Sequence, residues 1–324
     1  MGEFQLQVET VKMSMVEEAR DHIKKAQDAL HPSIWRLQFS ADHLVAALEL
    51  SQAAACFQSA SLNEQAAKAW VKAGEIRRDS IRDYQGAGRN FESAGQLLRN
   101  PEHYKEAATC YLMAGKTDQA ARAWTKVAEL LAKTDPDGTT EAYRKVVDIY
   151  MDDGDAKRGG NAYAVEALRA YEEWLLSQHD LDEWLEASKE SSKLLEAAGL
   201  HSSTHKELLS QVIVLLSMGD TVKADEVLAS CLNVRGFLAS EEMAAGEGMV
   251  IAFRNNDADA LQAAVDKNCV KFLPIEIVKL AKSLKVAELP PPPTSSTAVD
   301  QTNKSDDEQP TAAAAADDLG ALLL

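Results

Sequence analysis

From Val16 to Lys285 apolar residues recur every three to four positions, and the breaks between these runs are short and polar. A period near 3.6 marks amphipathic helices, so the pattern predicts an all-α chain. Proline in this stretch is confined to Pro32, Pro101, Pro136 and Pro274. Inside a helix a proline removes a hydrogen bond and clashes with the preceding turn. The first three therefore mark inter-helix turns, at His31-Pro32-Ser33, Asn100-Pro101-Glu102 and Asp135-Pro136-Asp137-Gly138. Pro274 is expected at the first position of a helix running from Ile275 to Leu284, where its missing N–H costs nothing.

The helices share a local motif of small residue, aromatic, small residue. Ala67-Lys68-Ala69-Trp70 leads to Ala73-Gly74, and Asn90-Phe91 leads to Ala94-Gly95. Ala107-Ala108-Thr109-Cys110-Tyr111 leads to Ala114-Gly115, and Ala121-Arg122-Ala123-Trp124 leads to Val127-Ala128. Each large ring is expected to fill the gap beside small residues on the neighbouring helix. That is the pattern of stacked hairpins of tetratricopeptide type. Residues 21–199 are thus expected to form a right-handed superhelix of TPR-like hairpins, with residues 1–20 as an N-terminal extension. An ordinary helical bundle would share the composition.

After Gly199 the texture changes. Leu208 to Met218 is strongly apolar, and shorter helices follow at Asp225–Leu232, Glu241–Phe253, Ala258–Val265 and Ile275–Leu284. Residues 200–287 read as a C-terminal helical bundle that covers the open face of the last repeat. Residues 288–324 begin with the run Pro290–Pro293 and continue in Ser, Thr, Asn, Gln and acids. Such a segment lacks the apolar surface to fold and is expected to be disordered. It ends in Asp317-Asp318-Leu319-Gly320-Ala321-Leu322-Leu323-Leu324, acidic and then leucine-rich, an ending that gains nothing unless a partner takes it up.

Composition narrows the function. Aromatic residues make up only 6%, which suits close helix packing. The formal net charge of −17 argues against general nucleic-acid binding, which needs a basic surface to displace counterions. Cys56, Cys110, Cys231 and Cys269 have no CxxC spacing and read as small buried hydrophobes. No leader is expected in Met1 to Arg20, and no run reaches the roughly 18 apolar residues of a membrane span. A cytosolic chain with peripheral membrane contact is the expectation.

Motifs that carry chemistry stop short. Gly115-Lys116-Thr117 looks like the end of a phosphate loop, but Cys110 stands where its first glycine is needed, so Gly115 reads as a helix end. Gly86-Ala87-Gly88 lacks the third glycine of a dinucleotide fingerprint, since Phe91 occupies that place. Asp152-Asp153-Gly154-Asp155 reads as an acidic turn, and the pair His201 and His205 has no third ligand near it in sequence. No enzyme activity, cofactor or metal is expected.

Two features suggest binding. His31 to Phe39 carries Ile34, Trp35, Leu37 and Phe39 beside a proline turn, a composition suited to a membrane interface. The plainer reading is that these side chains pack the first hairpin. The basic residues Arg77, Arg78, Arg82, Arg89, Lys116, Arg122, Lys126, Arg144, Lys145, Lys157 and Arg158 recur through the solenoid and could align on one face toward an acidic partner. Acids are interspersed, so a mixed solvated surface is the alternative.

Several stretches in order resemble the soluble NSF attachment proteins, in particular their gamma form. They are Asp220-Thr221-Val222-Lys223-Ala224-Asp225-Glu226, then Arg235-Gly236-Phe237-Leu238-Ala239-Ser240-Glu241-Glu242, then Asn256-Asp257-Ala258-Asp259. Ala107 to Trp124 is similar to a helical pair of the same form. The resemblance spans roughly residues 20–285 and implies a non-enzymatic adaptor. Such an adaptor wraps an assembled SNARE four-helix bundle and recruits and stimulates the NSF ATPase in vesicle trafficking, at the cytoplasmic side of vesicle, Golgi or vacuolar membranes. It implies membrane contact through Ile34, Trp35 and Leu37, and a SNARE-binding basic face with Lys116, Arg122, Lys126, Lys157 and Arg158. It also implies an NSF-activating tail at Asp317, Asp318 and Leu319 or Leu323. A generic TPR-type scaffold for another protein partner is the other reading.

Overall fold

The computed structural model describes residues 2–31, 40–152 and 162–286; the side chains of residues 2–8 fall outside the description. The described residues hold helices and no strand. The first seven helices are α1 (Gly2–Leu30), α2 (His43–Ser59), α3 (Asn63–Ile76), α4 (Tyr84–Leu98), α5 (Pro101–Met113), α6 (Thr117–Leu131) and α7 (Pro136–Asp152). There follow α8 (Ala162–Gln178), α9 (Leu181–Ala197), α10 (His201–Ser217) and α11 (Thr221–Ser230). Last come α12 (Glu241–Asn255), α13 (Ala258–Val265), α14 (Asn268–Lys271) and α15 (Ile275–Ser283). From α1 to α9 each helix packs mainly on the next, as stacked antiparallel hairpins do.

Local chemistry fixes the ends of these helices. Asp42, Asp83, Asp180, Asp220 and Asp257 accept from the backbone N–H three residues on, as does Ser240 at α12. These side chains satisfy donors that a helix start leaves orphaned. Pro101 and Pro136 begin α5 and α7 as expected. Pro274 sits one place earlier than expected, as the capping residue of α15. Gly115 ends α5 at φ +67°, where the Lys116 N–H reaches back to the Tyr111 carbonyl at 2.9 Å. This closing turn, and no phosphate cradle, accounts for the glycine.

The interlock of rings with small residues is present. A Cβ placed on Gly74 of α3 would stand 3.1 Å from the Phe91 ring of α4. One on Gly88 of α4 would stand 2.6 Å from the Tyr111 ring of α5, and one on Gly95 would stand 2.8 Å from Tyr104. Phe91 and Tyr111 are buried, whereas Trp70 and Trp124 are only half-buried, Trp124 packing against two of the apolar clusters. Between α3 and α4 the chain widens into a π-turn, Arg77–Ile81, closed by an Arg82 at φ 60° and by an Arg77–Asp83 ion pair at 2.7 Å.

α10 is the centre of the C-terminal half. Leu208 to Leu216 are buried without interruption, because α9, α11, α12 and α15 surround the helix. A helix apolar on all sides is stable only when enclosed in this way. The turn Arg235-Gly236-Phe237 serves the same core. Gly236 takes φ +77°, a left-handed backbone that glycine adopts freely, and Phe237 is driven to full burial against His205. One buried apolar cluster runs from Ala87 to Ala281, while α1–α3 rest on two small clusters around Phe57 and Leu50.

Candidate functional site

The zigzag of hairpins places odd-numbered helices on one face and even-numbered helices on the other. Grooves form between alternate helices, with the intervening helix as floor. On the odd face a groove of about 910 Å³ lies between α1 and α3 and is lined by Ile23, Leu30, Leu50, Phe57, Val71 and Ile76. On the even face a groove of about 360 Å³ lies between α6 and α8, with Arg122 and Thr125 on one wall and Tyr163 and Glu166 on the other. Tyr143 and Tyr150 of α7 form its floor. Tyr150 and Tyr163 stack with ring centres 5.7 Å apart.

Arg122 and Lys126 lie one turn apart on α6 and are both exposed. Lys126 pairs with Glu129 at 2.6 Å. Lys116 is exposed too but caps the N-terminus of α6, off the face that Arg122 and Lys126 share. Several other basic residues are committed to acids. Arg78 bonds Asp79 and Glu106, and Arg144 bonds Glu183. Lys145 lies with Asp148 and Asp152 in a groove between α5 and α7. Lys157 and Arg158, the loop residues Ile34, Trp35 and Leu37, and the tail residues Asp317, Asp318, Leu319 and Leu323 lie outside the described residues.

The titratable groups of this wall are held by burial and neighbours. Burial, with a hydrogen bond to Glu92 at 2.5 Å, pushes the Tyr111 phenol well above its ordinary value. Burial pushes the Cys110 thiol up to about 11. Cys110 and Cys269 are buried as expected, whereas Cys56 and Cys231 are only half-buried; all four are free thiols. Burial, then the nearby Glu18 carboxylate, raises the Cys56 thiol.

His201 and His205 make no metal site among the described residues: His205 Nε2 meets the Arg235 carbonyl at 3.0 Å, and Phe237 covers its ring. Instead Glu18, His22 and Cys56 bring three potential donors together across α1 and α2. Sequence reasoning missed this group, since only the spacing of Glu18 and His22 is visible locally. It also missed the tyrosine floor, for which Tyr143 and Tyr150, seven apart on one helix face, are the available signal.

The geometry defines an all-α stack of helical hairpins with grooves between alternate helices. Comparison with known proteins makes this specific. The model of the family described as "Soluble NSF attachment protein, SNAP" matches residues 17–268, and the chain belongs to that family. It is similar to the gamma-soluble NSF attachment protein of Dictyostelium discoideum, 23% identical over 279 residues, covering 84% of this chain and 83% of that protein. The gamma-soluble NSF attachment protein of Arabidopsis thaliana is 24% identical over 262 residues, covering 78% and 87%. Among solved structures, a tetratricopeptide repeat protein from Parabacteroides merdae ATCC 43184 aligns over 82% of this chain and 99% of its own, at 14% identity and a TM-score of 0.24. No described helix is long and apolar enough to cross a membrane.

Proposed function

We propose that this chain is a non-enzymatic adaptor that binds assembled SNARE bundles, recruits NSF and stimulates its ATPase to take the bundle apart. The observation that carries the reading is the family match across residues 17–268, which runs from the second half of α1 to the start of α14. In this reading residues 21–199 form the wall, residues 200–287 the bundle that closes it, and residues 288–324 the tail that engages NSF.

The wall meets the bundle through Arg122 and Lys126, with Lys116, Lys157 and Arg158 extending the positive surface. Basic residues across an acidic helical bundle favour encounter and fix orientation more than they add raw affinity. Tyr143, Tyr150 and Tyr163 supply broad rings with polar tips, a chemistry suited to a protein interface. Ile34, Trp35 and Leu37 hold the complex at a membrane surface, and Asp317, Asp318 and either Leu319 or Leu323 act on NSF. Peripheral attachment to vesicle, Golgi or vacuolar membranes follows from that arrangement.

The test is NSF ATPase activity with SNARE bundle and either the full chain or a chain ending at residue 286. The full chain is expected to stimulate and the truncated one to bind the bundle without stimulating. A full chain that retains no SNARE bundle in a pull-down and leaves the ATPase at its basal rate overturns the proposal.

A further inference from the structure

Glu18 and His22 stand one turn apart on α1, and Cys56 faces them from α2. One oxygen of Glu18, one ring nitrogen of His22 and the sulfur of Cys56 all lie within 4.8 Å of one another. The Nε2 of His22 is 4.0 Å from Glu18 Oε1. Its other nitrogen, Nδ1, is 2.6 Å from Glu49 Oε2. Glu49 and Cys56 are seven residues apart on α2 and so share a face of that helix.

The Glu49 contact is what gives the group a direction. An ionised carboxylate can only accept, so Nδ1–H of His22 donates to Glu49, and a ring so held offers a metal its Nε2, on the side of Glu18 and Cys56. A histidine that binds a metal commonly gives its second N–H to a carboxylate in this way, which fixes the tautomer and strengthens the ligand. Nitrogen, sulfur and oxygen donors together suit zinc, a borderline-soft ion with no geometric demand beyond four-coordination. Two donors on one tetrahedral zinc, each at about 2.0–2.1 Å, stand roughly 3.3–3.4 Å apart. Closing the 4.0 Å gap to that spacing asks for roughly 0.6–0.7 Å, which a rotation of the largely exposed side chain of Glu18 can supply.

We propose that the α1–α2 hairpin binds one zinc(II) ion through Glu18, His22 and Cys56, with water in the fourth position and Glu49 orienting His22. On binding, the Cys56 thiol releases its proton to solvent and the sulfur ligates as thiolate. The ion ties α1 to α2 beside the small apolar cluster of Ala19, Phe57 and Ala66. Without an ion the same residues would form only a part-buried hydrogen-bonded pair of His22 and Glu49. The two cases differ in sulfur coordination.

Cobalt(II) reports that difference, because a cobalt–thiolate bond adds a charge-transfer band in the near ultraviolet and tetrahedral cobalt gives intense visible bands. The full chain titrated with cobalt(II) is expected to show both at one ion per chain, and zinc(II) is expected to bleach them. Cys56→Ser should abolish the charge-transfer band while circular dichroism stays helical. Glu49→Gln should keep the band and weaken zinc affinity tenfold or more in calorimetry, the usual cost of losing such an orienting carboxylate. A wild-type chain with no cobalt–thiolate band and no heat of zinc binding overturns the proposal. So does a band that survives Cys56→Ser unchanged, which would place the ion on another thiol.

Discussion

Glu172 of α8 raises its carboxyl toward that of Glu207 on α10, and the two form an acid pair braced by serines of the helix between them. Glu172 is 8% exposed, and its Oε1 has no hydrogen-bond partner. Glu207 accepts from Ser188, which in turn accepts from Gln211 Nε2 at 3.0 Å. Burial, and then the charge of Glu207, pushes Glu172 well above the carboxylate range; Ser191 and Arg169 offset only part of this. Burial raises Glu207 to about 7 despite Ser188 and Arg169.

The sign of the pH dependence follows. Both groups titrate higher in the folded chain than the ordinary value of about 4.5. Their contribution to stability is therefore complete below pH of about 4.5; the share of Glu207 is lost as pH rises toward about 7, and that of Glu172 is lost as pH rises in the same direction. Denaturant unfolding at pH 5 and pH 8 is expected to differ by a few kcal/mol, on the order of two pH units of linkage. The net charge of −17 also relaxes on acidification, so the decisive comparison is with Glu172→Gln and Glu207→Gln, which should flatten the slope. A slope unchanged in both variants would show that the pair does not titrate here.

Gly88 and Gly248 both lie inside helices, and alanine at an open helical site should add about 0.5–1 kcal/mol. At Gly248 the nearest atom to a new Cβ is Ala264 Cβ at 3.4 Å, so Gly248→Ala is expected to be neutral or stabilising. At Gly88 the new Cβ would be 2.6 Å from the Tyr111 ring, which is buried and cannot step aside. Gly88→Ala should destabilise by roughly 1–3 kcal/mol. Thermal unfolding of the two variants measures the contrast, and equal effects would rule out the interlock.

Phe237 is fully buried at the end of a turn that depends on Gly236. Phe237→Ala should cost about 3–5 kcal/mol through the lost burial and the cavity left behind. Equilibrium unfolding reads this directly; a loss below about 1 kcal/mol would mean that the turn is not anchored by its ring.

Arg122 and Lys126 offer a test of the wall as a binding surface. Both side chains are exposed, so Arg122→Glu with Lys126→Glu should shift stability by no more than about 0.5 kcal/mol each. Binding of an assembled SNARE bundle at low salt is expected to fall by about tenfold or more, with the difference shrinking as salt rises. Unchanged affinity at low salt would move the interface off α6.

What the sequence made legible was whatever a few neighbouring residues decide. The helix Ala258–Val265, the prolines that open α5 and α7, the glycine ending α5 and the ring-on-glycine contacts of α3 to α5 all depend on short spacing. The Glu172–Glu207 pair, the tyrosine floor and the meeting of His22 with Cys56 depend on how whole helices register against each other, which periodicity does not fix. The same blindness explains the tryptophans. The motif around Trp70 resembles that around Phe91, yet Trp70 is half-buried where Phe91 is buried. Counting basic residues likewise overstates free positive charge, since Arg77, Arg78 and Arg144 are already spent on Asp83, Asp79, Glu106 and Glu183.

The two small apolar clusters under α1 to α3 contrast with the long one that reaches from Ala87 to Ala281. Each early helix packs almost wholly on its sequence neighbours, whereas α10 is held by four helices at once. A loosened early hairpin would therefore disturb only the next one along, while a change in α10 would reach four helices together.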